Sequence, residues 1–208
     1  VFGDSVSGGL GGADMMDDSV GDHCSFSKQE LGWIEPVRIE GPGEYTIRSF
    51  SESGDALLLK KPNAKVSLLD HLAGITAIEQ YEYLLIDLYT PDGLNAPFAE
   101  AGELFSQSGV RVYHVDARPN RQEGWYWDPY LYNNSTGDRP LIRLVEADGD
   151  GSIPNTSEYD EGNLAQDSDL FHAGDALTDF SWYDGQPLGY TIRIERLENG
   201  EATLIVEE

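Results

Sequence analysis

Cys24 is the one cysteine among 208 residues. An intrachain disulfide and a zinc site built on several thiolates are therefore both excluded. Cations are scarce as well: 13 Lys and Arg stand against 38 Asp and Glu, a formal charge of −25. They are scattered from Lys28 to Arg196, and only Lys60, Lys61 and Lys65 lie close together. Affinity for phosphate backbones comes mainly from Lys and Arg, so nucleic acid and anionic membrane surfaces are excluded as partners. No apolar run approaches the ~18 residues of a membrane span. The four histidines, His23, His71, His114 and His172, are far apart. None forms the His-Glu-x-x-His pair that sets two imidazoles one helical turn apart around zinc. A Gly-x-Ser-x-Gly elbow, a phosphate-cradling Gly-x-x-x-x-Gly-Lys loop and a dinucleotide fingerprint are also missing.

What is present suffices for a core. Hydrophobic residues make up 39% and aromatics 11%, so the charge does not imply disorder. Val1 to Gly12 is small, polar and Gly-rich and reads as an irregular loop. The chain opens on Val1 without a basic, apolar leader, as a processed protein or a fragment would. A short helix is expected at 25–31, with Ser25 as N-cap and Gly32 as stop. Beyond Glu35 the pattern is β: Val37–Ile39, Tyr45–Arg48, Ala56–Lys60, Tyr81–Tyr89, Val110–Asp116 and Leu141–Ala147. Tyr81–Tyr89 is almost continuously apolar, as a strand buried on both faces would be. Val110–Asp116 alternates, with Val110, Val112 and His114 on one face and Arg111, Tyr113 and Val115 on the other. Asn199-Gly200 between Tyr190–Leu197 and Glu201–Glu207 is a strong hairpin signal. The expected fold is mainly β, an antiparallel sandwich or partly closed barrel with one or two short helices. Two long turn-rich stretches, Pro119–Pro140 and Asp148–Asp184, are expected to be functional or ordered by something.

Four places bear side chains suited to chemistry. Asp148, Asp150 and Ser152, at i, i+2 and i+4 in Glu146-Ala147-Asp148-Gly149-Asp150-Gly151-Ser152, resemble the front half of a calcium loop. With Glu146 at position 1 the bidentate acid falls on Ser157, and Glu158 is one residue late. The plain alternative is a solvated Asp-Gly turn. Asp160, Asp167, Asp169 and Asp175 are further acids for a site of another kind. His114 and Asp116 share a strand face, as metal ligands, as an acid/base pair, or as a histidine held by a nearby carboxylate. Trp125, Tyr126 and Trp127 head an aromatic loop at 125–132 that serves either as a peptide or glycan platform or as a pin onto the sheet. Cys24 lacks the positive surroundings of a reactive thiolate and reads as a buried, inert residue.

The order of several blocks resembles the immune inhibitor A-type secreted zinc metallopeptidases. They are Gly11-Gly12-Ala13-Asp14-Met15-Met16-Asp17, Gly21-Asp22-His23, Phe26-Ser27-Lys28, Leu31-Gly32-Trp33-Ile34-Glu35-Pro36, Glu82–Ile86, Gly109–Asp116 and Leu144–Gly149. The resemblance covers nearly the whole chain and implies a β-rich, C-terminal part of such a peptidase. On this reading residues 1–33 are the tail of the catalytic region, and 34–208 a β-rich domain packed with it as one unit. Met15 or Met16 then corresponds to the methionine beneath the metal in that family, a floor and not a ligand. The family's His-Glu-x-x-His helix is absent here. The resemblance therefore implies an upstream catalytic segment carrying the zinc, protein or peptide substrates, export from the cell, and no activity for this chain alone. A stand-alone β-sandwich binding module using loop 125–132 is the alternative.

Overall fold

A computed structural model describes residues 9–18, 21–62, 82–120, 129–134, 139–153 and 164–208. The chain is mainly β, with two sheets and short helices. The first sheet has five strands in the order β1 (Val37–Arg38), β3 (Ala56–Lys60), β4 (Glu82–Tyr89), β5 (Gly109–Asp116) and β6 (Ile142–Leu144). Only β1 and β3 run parallel; the other neighbours are antiparallel. The second sheet is β2 (Gly43–Arg48), β9 (Glu201–Glu207), β8 (Thr191–Glu198) and β7 (Ala176–Leu177), all antiparallel. Among the described residues no barrel closes between them. The sandwich expectation holds.

The alternation of β5 decides where the layers go. Val110 and Val112 join Leu57, Leu59, Leu84, Ile86 and Leu88 on the face that meets the second sheet, which contributes Ile192, Ile194, Leu204 and Val206. Arg111, Tyr113 and Val115 turn the other way, where Tyr113 and Val115 meet Leu58, Tyr83, Leu85 and Ile142. A segment ahead of β1 covers that second face: Leu10, Ala13, Cys24 and Phe26 are buried against it. Every residue of β4 and β5 is consequently buried, as the unbroken apolar run of β4 requires. Strand β8, covered on one side only, alternates instead.

The hairpin falls where Asn-Gly puts it. Asn199 and Gly200 both have positive φ, 54° and 73°, the backbone of a tight turn between twisted strands. Helix α2 (Ser25–Glu30) differs from expectation at its start. Cys24, not Ser25, is the N-cap residue, and no side chain caps the helix in the usual way. Its end is as expected: Gly32, at φ +70°, and Trp33 donate to the carbonyls of Gln29 and Lys28, a left-handed glycine stop. The Gly-rich stretch 9–12 is irregular but packed. Leu10 is fully buried, and the carbonyls of Gly9 and Gly11 accept N–H groups from Leu144 and Ala165. A Cβ on Gly11 would lie 2.4 Å from the Ala165 nitrogen, so a bare backbone is needed for this approach.

Asp148–Asp184 is partly built structure. It contains β7, a bridge from Phe171 to Val110, and the buried side chains of Leu170, Phe171, Phe180 and Trp182.

Candidate functional site

Asp14 organises the segment that covers the first sheet. It is fully buried, and its carboxylate accepts the backbone N–H of Cys24 (2.5 Å), the hydroxyl of Ser27 (3.1 Å) and the backbone N–H of Met16 (3.2 Å). The start of α1 (Met15–Asp18) is thereby tied to the first turn of α2. Asp14 also takes up the Cys24 N–H that a local cap would leave to solvent. Met15 and Met16, the expected floor residues, stand 38% and 51% exposed. Beside them a groove of about 220 Å³ is lined by Met16, Phe26, Ser27, Glu30, Leu31, Tyr130 and Leu141. Cys24 is buried, and burial, reinforced by the Asp14 charge, pushes its thiol well above the usual range. It is not a poised nucleophile.

The acidic loop after β6 converges further than its spacing suggests. Carboxylate oxygens of Glu146, Asp148, Asp150 and Asp169 all lie within 4.8 Å of one another. Asp169 arrives because Ala147 donates its N–H to the Asp169 carbonyl at 3.1 Å. Asp148 and Asp150 are thus brought together as expected, and Glu146 and Asp169 join them. Ser152 lies beside them through its backbone. Its backbone N–H donates to Glu146 (2.9 Å) and Asp150 (2.8 Å) and orients both carboxylates. Burial raises the Glu146 carboxyl against the N–H bonds from Ile153 and Ser152. Burial, with the charges of Asp148 and Asp150, raises Asp169. The bonds from Ser152 lower Asp150. Among the described residues no other group of three or more His, Cys, Asp or Glu ligand atoms converges. This one, without imidazole or thiolate, fits a hard, oxygen-seeking cation and not a catalytic zinc.

His114 and Asp116 do share a face, but the carboxylate that holds the imidazole is Glu82, on β4. His114 Nε2 lies 2.9 Å from Glu82 Oε1, while Arg143 Nε donates to Nδ1 at 3.3 Å. Nδ1 therefore accepts and carries no proton, leaving Nε2–H to donate to Glu82. Burial and the facing guanidinium groups of Arg143 and Arg139 push the imidazole down to about 4. Burial pushes Glu82 up, but the bonds from His114, Lys61 and the Tyr183 N–H outweigh it and hold it at about 2. Asp116 pairs with Arg139 (2.5 Å) and Arg118 (3.2 Å). With Phe180, Trp182 and Tyr183 around the ring, this is a neutral histidine held within an ion network. Sequence reasoning missed Glu82, whose register opposite Asp116 is a property of strand pairing and not of chain distance.

Trp125, Tyr126 and Trp127 lie outside the described residues. So do Ser157, Glu158 and Asp160. Compared with family models, curated proteins and solved structures, the chain finds no match.

Proposed function

We propose that this chain is the C-terminal, β-rich part of a secreted zinc metallopeptidase, a scaffold that contributes no zinc ligand. The observation that carries the reading is the Asp14 bracket. Three bonds to one buried carboxylate fix a turn that holds Met15 and Met16 at the surface. Exposed, soft side chains on a rigid turn suit a floor against which a metal-bearing segment packs. The apolar groove beside Met16, and the exposed Leu31 and Trp33 beyond it, extend that floor. The resemblance in motif order supplies the nature of the missing partner, a His-Glu-x-x-His helix whose Glu activates zinc-bound water. Export and a protein or peptide substrate belong to the same reading.

Two measurements test it. The purified chain, given zinc and casein, is expected to show no chelator-sensitive turnover; such turnover would overturn the division of labour. The coding sequence upstream of Val1 is expected to encode a His-Glu-x-x-His segment within a few tens of residues. A start codon and export signal directly before Val1 would instead favour the free-standing binding module.

A further inference from the structure

We propose that Glu146, Asp148, Asp150 and Asp169 bind one divalent cation of calcium's size. The convergence of acids is the first observation. The second is independent of it and concerns Asp169 alone. That side chain is 1% exposed, its Oδ2 accepts the Gln166 N–H at 2.6 Å, and its Oδ1 has no hydrogen-bond partner. A buried carboxylate oxygen without a donor carries a desolvation cost that a native fold normally meets with a partner. The charges around Asp169 are those of Asp148 and Asp150, both of its own sign. Among the described residues none of the four acids has an ion pair with Lys, Arg or His, although the buried Glu82, Asp87 and Asp116 do. A cation at this point supplies the missing partner and removes the mutual repulsion together.

The ligands select among cations. Calcium takes about six to eight oxygens in loose geometry, whereas magnesium demands a near-ideal octahedron and keeps several of its waters, so four converging carboxylates suit calcium. Oxygens around calcium at about 2.4 Å lie no more than about 4.8 Å apart across the shell, and the four here, all within 4.8 Å of one another, fit inside it. An entry path exists, because Glu146 and Asp148 also line a groove of about 390 Å³. The loop has the required exposure as well: Asp148 and Asp150 are exposed, while Asp169 anchors the inner side. The site differs from a helix-loop-helix calcium hand. Its fourth acid comes from the 3-10 turn Asp167–Asp169 and not from position 12 of a continuous loop.

The test is calorimetric titration of the chelator-treated chain with calcium chloride and, separately, magnesium chloride, with thermal unfolding followed in parallel. One calcium per chain is expected, bound at least tenfold more tightly than magnesium. The melting temperature should rise by about 5–10 °C at a hundredfold excess over Kd. Asp169→Asn and Asp150→Asn should each weaken calcium binding at least tenfold. Asp150 is exposed, so its variant keeps the test valid if Asp169→Asn fails to fold. Absence of calcium binding, equal affinity for magnesium, or full binding by Asp150→Asn would each overturn the assignment. None of these outcomes depends on the metallopeptidase reading.

Discussion

Two groups of acids in the chain are neutralised differently. On the central strands each is matched by a cation: Asp87 faces Arg111 at 2.7 Å directly across the β4–β5 pair, and Asp116 lies between Arg139 and Arg118. At the 146–169 site the carboxylates face one another. With 13 cations for 38 acids, the chain cannot pair every acid internally. The Arg111 guanidinium sits beside Asp87 where water does not reach, and the unmatched cluster sits at the edge, where solvent ions do. Internal neutralisation makes stability a property of the sequence; external neutralisation makes it a property of the medium.

The strongest way to break this contrast is Arg111→Met. It strands Asp87 at full burial beneath Phe50, Tyr89 and Tyr113, the rings now over the guanidinium. A loss of about 3–5 kcal/mol is expected by urea denaturation, against the much smaller effect of removing an acid at 146–169 without calcium.

Acid sharpens it next. His114 is held at about 4, below its unfolded value of about 6.5, so the unfolded chain binds the extra proton first. Its contribution is intact above pH 6.5 and is lost as pH falls towards 4, by about 3 kcal/mol in all. Glu82, held at about 2, adds a further loss below about pH 4.5. Comparing urea midpoints of the wild type and His114→Gln from pH 7 to 4 isolates the histidine, and the variant should show the shallower fall.

A smaller effect connects the two regions. A Cβ on Gly109 would lie 2.5 Å from the Leu170 Cβ, and Leu170 follows Asp169 in the chain. Gly109→Ala should cost about 1–3 kcal/mol and, by displacing that segment, weaken the calcium response. The smallest effect is expected at the exposed Arg48–Asp55 pair. Arg48→Ala should leave the urea midpoint unchanged within error, because solvent already screens it.

Legibility in the sequence followed the range of the forces. Strands β4, β5, β8 and β9 were readable because side-chain period and turn chemistry are local, and the Val110–Asp116 alternation separated the two covered faces correctly. Strand β7, two residues long, has no period to read. The N-cap of α2 falls on Cys24 and not Ser25, and the Cys24 N–H is taken by the Asp14 carboxylate ten residues upstream, a contact that local capping chemistry does not report. Asp148 and Asp150 were visible as alternate oxygens in one loop. Asp169 was one of several candidate acids, and only a backbone bond across an intervening segment selects it. Glu82 escaped for the same reason. Pairing register is written in contacts between strands, and residue spacing does not report it.

The position of β9 carries a consequence for synthesis. This strand lies inside the second sheet, bonded on one side to β8 and on the other to β2, from Gly43↔Val206 to Arg48↔Glu201. As the polypeptide leaves the ribosome, β2 therefore waits until Glu201–Glu207 has been made for β9, its one ladder neighbour among the described residues. Closure of the sandwich is a late, long-range event, and a nascent chain stalled before Glu201 would present an open edge to chaperones or to other nascent chains.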